Sequence, residues 1–244
     1  MRVRLLTWWT SLLVGALLFA TVLGACSGAA SPSGRQSILR KPFHLLVCVV
    51  FVPGLLHDPA LLLAASGGLT FLFIVAEVAR ACGVQPWSRI LQAWCQPFLD
   101  SKDTGALILP NIYLLVACSG VLWYHAESVG PVGRYQDLCL FAGVITIGVG
   151  DTVAAVVGSS LGRWRWPRSV KTVEGSLASA AAQLLFCFLL DYSGHLEVVP
   201  EAWWPLCVSV CVTTLAEAFT NQADNLVLPP LFVVAFKMAA VRWW

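Results

Sequence analysis

Of the 244 residues, 58% are hydrophobic and 11% are charged, where an ordinary soluble domain carries roughly 45 to 50% and about 25%. That balance argues against a water-soluble domain, and the lack of short runs with alternating polarity argues against a membrane β-barrel. A formal net charge of +2, spread along the chain, argues against a nucleic-acid partner.

What remains is an all-α fold, a polytopic bundle of transmembrane helices. Apolar runs of about 16 to 24 residues, as long as a hydrocarbon core is thick, alternate with short polar stretches and predict about six to eight spans. The first run, residues 5–23, follows Arg2 and Arg4 and precedes Gly24-Ala25-Cys26-Ser27. Its apolar core is long for a cleaved signal peptide, so a span or signal-anchor is expected, with a Ser/Gly linker completing an amino-terminal unit of residues 1–37. A basic group from Arg35 to Lys41 leads into residues 44–78, where Pro53, Gly54, Asp58 and Pro59 predict two spans joined by a tight turn.

Residues 79–104 are polar, and the amphipathic stretch 87–99 within them predicts an interfacial helix. Further spans are expected at residues 107–124, 138–161, 176–191, 204–219 and 226–241. Counted along these spans, Arg35, Arg40, Lys41, Arg80, Arg89, Lys102, Arg163, Arg165, Arg168 and Lys171 fall on one side, which should be cytoplasmic. Arg2, Arg4, Arg134 and Arg242 fall on the other. Nine cysteines, with no C-x-x-C pair, lie mostly in apolar runs and read as small buried hydrophobes.

Ionisable groups inside apolar spans cost about 2.5 to 3.5 kcal/mol on insertion scales, so each needs a reason. Asp151 stands in G-V-G-D-T-V-A-A, where Gly148 and Gly150 allow the helix to unwind and expose backbone amides. Gly158 and Gly162 follow on one helical face, which a small-residue helix contact would also explain. Residues 163–175 read R-W-R-W-P-R-S-V-K-T-V-E-G. Lys171 suits a polyphosphate, Thr172 and the amides of the next helix add donors, and Glu174 can share a divalent ion. A basic loop anchoring to anionic lipid remains an alternative, and there is no P-loop sequence. Glu217 lies inside the end of a span, and Asp224-Asn225 open the next. Asn221 and Asp224 would also suit helix caps, but Glu217 fits that task poorly, and together with Asp151 it offers the hard oxygen ligands that magnesium or calcium prefers, or a base for an alcohol.

These motifs come in a recognisable order: R-K-x-F-H at Arg40 to His44, D-x-x-D-x-G at Asp100 to Gly105, G-D-T-V-A at Gly150 to Ala154 with Gly158 and Gly162, K-T-x-E-G at Lys171 to Gly175, and Q-A-D-N-L-V-L-P after Glu217. Together they resemble the carboxyl-terminal catalytic domain of the dolichol kinase family, over about residues 38–242, so that residues 38–244 are expected to form one membrane-embedded catalytic domain. The resemblance implies phosphoryl transfer from CTP, with a divalent cation, to the terminal hydroxyl of dolichol or a related polyprenol, on the cytoplasmic face of the endoplasmic reticulum membrane. It implies that dolichyl phosphate is made for protein glycosylation.

On this reading Asp151, Lys171, Glu174 and Glu217 carry the reaction. Gly150, Thr152, Gly158, Gly162, Arg163, Arg165, Arg168, Thr172, Gly175 and Asn225 bind the nucleotide, and Asp151, Glu217 and Asp224 hold the metal. Phytol kinases, CTP-dependent diacylglycerol kinases and phosphatidate cytidylyltransferases share a more distant likeness. A cytidylyltransferase, a transporter coupled through Asp151 and Glu217, and a non-catalytic truncated membrane protein remain the competing readings.

Overall fold

The computed structural model describes residues 2–26, 33–96, 107–125, 135–220 and 224–240, with backbone alone at 16–26, 33–41, 135–137 and 224–225. Helices follow in the order α1 (Arg2–Cys26), α2 (Ser33–His57), α3 (Pro59–Ala81), α4 (Trp87–Cys95) and α5 (Pro110–Tyr124). A 3-10 segment (Tyr135–Phe141) and a π segment (Val144–Asp151) lead into α6 (Thr152–Ser160), followed by α7 (Val173–Tyr192), α8 (Trp203–Phe219) and α9 (Asp224–Ala240). No β-strand occurs among the described residues, only an isolated bridge between Arg165 and Thr172. The expected helical membrane bundle is therefore what the chain forms.

Among the described residues, three helices are long and apolar enough to cross a membrane, at Pro59–Ala81, Val173–Tyr192 and Pro200–Phe219. Shorter apolar helices lie at Pro42–His57, Pro110–Tyr124, Val144–Ser160 and Leu226–Ala240. Cross-chain pairings fix which ends lie together. Arg2 pairs with Asp58, so the start of α1 meets the end of α2. The Ile108 amide donates to Glu77, so the end of α3 meets the start of α5. Lys171 reaches Glu217, so the start of α7 meets the end of α8, and Lys237 lies 3.3 Å from His125, so α5 and α9 finish together. One end of the bundle thus carries Arg80, Arg163, Arg165, Arg168 and Lys171, and the other carries Arg2, Arg4 and Lys237.

The turn expected from Pro53 onward begins later. Helix α2 runs through Pro42 and Pro53 to His57. Proline at 53 has no N–H to give to the Val49 carbonyl one turn back, and the Trp8 indole of α1 donates to that carbonyl at 3.4 Å while Trp9 donates to Val50 at 3.1 Å. A neighbouring helix supplies the donor that the proline lacks, so the helix continues. The break falls at Asp58, whose side chain accepts from the Leu61 amide and caps α3, with Pro59 at its first position. Helix α4 occupies most of the expected interfacial stretch and has no buried residue. The D-x-x-D-x-G stretch at Asp100 to Gly105 lies outside the described residues.

The core runs through the middle of the bundle, where Leu55, Leu122, Phe141, Ile145, Leu206 and Phe232 are fully buried. The 3-10 and π segments pass along this core between α2, α5 and α7. Gly148 lets the π segment close on Cys48 of α2, where a Cβ would collide with the Cys48 sulfur. The cysteines described, Cys48, Cys82, Cys95, Cys118, Cys139, Cys187, Cys207 and Cys211, are free thiols, but only Cys118, Cys139 and Cys187 are buried as expected, while Cys82 and Cys211 are exposed.

Candidate functional site

The chain does not unwind at Gly148 and Gly150. It widens instead into the π segment Val144–Asp151, with its last residue, Asp151, at the start of α6. A π turn carries one residue more than the α-helical lattice, which re-aims the side chain that ends it. Asp151 Oδ2 lies 3.7 Å from His44 Nε2 of α2, and the two side chains are 17% and 8% exposed. Asp151 therefore meets a ring nitrogen inside the bundle, near the membrane depth at which α2 begins its apolar run.

The basic stretch after α6 folds into a small hairpin. The Trp166 amide donates to the Lys171 carbonyl at 3.0 Å and the Val173 amide to the Trp164 carbonyl at 2.8 Å. Arg168 turns the chain at a φ of 60°, a left-handed conformation uncommon away from glycine. Glu174 clasps the base of the hairpin by accepting from the amides of Arg163 and Trp164, and Thr172 caps α7 by accepting from the Gly175 amide. Trp166 fastens the hairpin to its neighbours, donating to Ser176 at 3.0 Å and meeting Phe219 of α8 edge-on. Arg163, Arg165 and Arg168 stay exposed on its outer side.

Lys171 points from the hairpin to the end of α8. Its Nζ donates to the Glu217 carbonyl oxygen at 2.6 Å and lies 3.7 Å from the Glu217 carboxylate, which is 7% exposed. The ammonium thus answers both a buried charge and the carbonyl-rich end of a helix. Close approach of α6, hairpin and α7 depends on glycine. A Cβ at Gly158 would sit 2.8 Å from Thr172 Oγ1, one at Gly175 would sit 2.7 Å from the Ala154 carbonyl, and one at Gly162 would strike Gly158 and Thr172. Gly150 lies against Gln183 of α7 in the same way, at 2.7 Å. These positions, expected from their motif to approach a nucleotide, here bring the backbones of the site together.

Below this joint runs a polar seam that the motifs did not announce. Gln183 Nε2 donates to Ser179 at 3.1 Å and to Thr214 at 3.4 Å, all three buried inside apolar helices. Thr152 Oγ1, next to Asp151, is buried without a hydrogen-bond partner, as is Gln183 Oε1. The seam ties the levels of the two acids: Gly150 touches Gln183, Gln183 touches Thr214, and Glu217 stands one turn beyond Thr214 toward the hairpin. Asp151, Lys171 and Glu217 accordingly share one end of the bundle and neighbouring depths. His44 carried a sequence signal, a histidine at a membrane edge. Glu217 carried its own signal as an acid inside a span, whereas Ser179 and Gln183 carried only their spacing on one face of α7, and Thr214 only its place on α8.

Asp224 and Asn225 open α9 just after the end of α8, with their side chains outside the description. Among the described residues no three His, Cys, Asp or Glu side chains converge on a metal position. The donors present are hard oxygens in ones and twos, Asp151 beside the unpartnered Thr152 hydroxyl, and Glu217. That set fits magnesium of the kind held by one or two carboxylates together with substrate phosphates and water. An open groove lined by Arg4, Leu5, Trp8, Pro53 and His57 lies at the opposite end, away from these groups.

A sequence model described as dolichol kinase matches residues 1–183. The chain is 35% identical over 98% of its length to a dolichol kinase of Homo sapiens. It is 32% identical over 81% to one of Arabidopsis thaliana and 28% identical over 97% to one of Schizosaccharomyces pombe. It spans about half the length of the curated relatives it matches, 45% of the human protein and 47% of the fission-yeast protein. No solved structure matches it.

Proposed function

The chain belongs to the dolichol kinase family, and from that premise we propose that it transfers the γ-phosphoryl group of CTP to the terminal hydroxyl of dolichol. The observation that carries this reading is that a cationic hairpin shares one end of a membrane bundle with a buried acid, Glu217, and a part-buried one, Asp151. A triphosphate needs cations that stand outside the bilayer; a lipid hydroxyl needs a polar group reachable from within it. This end of the molecule offers both, within the two turns that separate Asp151 from Gly158.

In the mechanism that follows, Arg163, Arg165 and Arg168 draw the phosphates to the hairpin, and Lys171 neutralises charge on the transferred group. Glu174 is a positioning residue, since its carboxylate holds the hairpin amides. Gly158, Gly162 and Gly175 let the hairpin lie close on α6, while Gly150, Thr152, Thr172 and Asn225 line the approach. Glu217 and Asp224, with Asp151 as a further oxygen donor, would hold a divalent cation, which when bound spreads the negative charge of the phosphates. Asp151 orients the lipid hydroxyl. As the lipid oxygen bonds to the γ-phosphorus, the bond from that phosphorus to the β-phosphate oxygen breaks; CDP leaves, and the hydroxyl proton passes by way of Asp151 to water. Such a loose transfer depends chiefly on positioning and charge.

The cation-rich end faces the cytoplasm on this reading, in the endoplasmic reticulum membrane, and the product, dolichyl phosphate, supplies protein glycosylation. The test is Asp151→Asn, assayed with radiolabelled CTP and dolichol in microsomes. The substitution keeps the shape and removes the charge, and is expected to lower turnover by about 10²-fold or more. Full activity in that variant would remove Asp151 from the mechanism.

A further inference from the structure

His44 lies outside the set of residues just assigned, yet it faces the acid at the centre of that set. It stands at the start of the apolar run of α2, 6% exposed, and an imidazole placed there needs a polar counterpart. Its counterpart is Asp151 Oδ2 at 3.7 Å from Nε2. That separation is longer than a direct hydrogen bond between those two atoms. It is also short enough for one oxygen atom to lie within about 2.8 Å of both at once. An alcohol oxygen donates one hydrogen bond and accepts others, whereas a carboxylate only accepts and an imidazole Nε2–H donates, in the neutral Nε2–H tautomer or the imidazolium alike. The pair is therefore complementary to a hydroxyl, which would donate to Asp151 and accept from His44.

The pair stands on other elements than Lys171 and Glu217, and of its two members Asp151 alone also belongs to the set assigned to the nucleotide and its cation. His44 and Asp151 belong to α2 and the π segment, with Cys48 and Gly148 packed one turn below them. Lys171 and Glu217 belong to the hairpin and α8. Asp151 retains 17% side-chain exposure, so the pair can be reached, while Leu45, the neighbour of His44 on α2, is 56% exposed on an apolar helix. Both features suit an alcohol that enters along the bilayer with its chain in the hydrocarbon.

We propose that His44 and Asp151 together form the acceptor half of the site, holding the terminal hydroxyl of the lipid alcohol between Nε2 and Oδ2 while the hairpin holds the nucleotide. This rests on the phosphotransfer reading above and adds His44 to it as a residue that touches substrate. It also predicts a division of labour: the loss of the His44 donor should be felt in the affinity for the lipid and not in that for CTP.

The experiment uses the whole chain purified into lipid nanodiscs, with initial rates measured against dolichol at saturating CTP and against CTP at saturating dolichol. His44→Phe keeps a ring of similar shape and apolar character and removes the donor; His44→Gln places an amide N–H near the position of Nε2. The expected result is a rise of about tenfold in KM for dolichol with His44→Phe, the size of one hydrogen bond to substrate. KM for CTP should stay within about twofold, and His44→Gln should recover most of the loss. Parallel rises in both KM values, an unchanged KM for dolichol, or a His44→Gln variant no better than His44→Phe would each overturn the proposal. If His44→Phe does not purify as a folded protein, His44→Gln decides alone, because a KM for dolichol raised as much as tenfold despite its donor contradicts the assignment. Wild-type protein that moves no phosphate from CTP to dolichol would instead sink the underlying phosphotransfer reading.

Discussion

The two ends of the bundle both carry charge, but they hold it differently. At the motif end, Asp151 and Glu217 are sunk among apolar helices, each opposite a basic group and each near a backbone feature that glycines or a helix end make possible. At the other end Asp58 is as enclosed as Asp151, 15% exposed, but its partner Arg2 stands in the open with its side chain 71% exposed. The open pair joins two helix ends and can be remade by water. The buried pairs have no such substitute, so their acids stay in the bundle only because specific partners answer them. Enclosure of the basic partner as well as the acid, more than charge itself, sets the end to which the proposal assigns the chemistry apart from the other.

The largest expected break of that contrast is Lys171→Met. On the proposed mechanism it removes the ammonium from the phosphoryl path and takes away the hairpin cation opposite Glu217, and should lower kcat/KM for CTP by about 10²- to 10³-fold, read in the same phosphotransfer assay. Next is the glycine joint. Gly158→Val and Gly175→Val each force a side chain into Thr172 or the Ala154 carbonyl, and overpacking of this kind costs about 1–3 kcal/mol. Thermal unfolding in detergent should show the loss, and KM for CTP should rise because the hairpin is displaced. Glu174→Gln is milder: a neutral oxygen still accepts from the hairpin amides, so a rise of only about threefold to tenfold in KM for CTP is expected.

The smallest effect belongs to the other end. The Arg2 hydrogen bond first, and then the Leu61 amide, hold the Asp58 carboxyl below the usual carboxylate range. A carboxyl lowered in this way contributes stability above its unfolded-state pKa and loses it as pH falls through its lowered value. At neutral pH the link is intact, and because it is exposed it is screened. Asp58→Asn should therefore leave both KM values unchanged and flatten whatever acid-side loss of stability this pair causes, measured by unfolding between neutral and acid pH. A large loss of activity in Asp58→Asn would erase the contrast between the ends.

Much of the fold could be read from the chain because hydrophobic length alone dictates helices in a bilayer. The expected runs at 176–191 and 204–219 became α7 and α8 with shifts of a few residues at their ends. Pro53 misled for a reason outside its own helix: the Trp8 indole that supplies its missing donor is far away in sequence. The site was legible as motifs but not as geometry. Asp151 and Glu217 announced themselves as charges among apolar residues, and Lys171 as the end of a basic loop. The hairpin clasp by Glu174, the π turn ahead of Asp151 and the approach of His44 to Asp151 each depend on contacts between separate elements, which spacing along one element does not reveal.

The central claim, that this end of the bundle moves the γ-phosphoryl group and not the nucleotidyl group of CTP, is tested most directly by following both labels through one turnover. Purified protein with dolichol and CTP labelled at either the α- or the γ-phosphorus should give a lipid that carries the γ label alone, with CDP released in equal amount. A lipid product carrying the α label with release of pyrophosphate, or no labelled lipid at all, would contradict it.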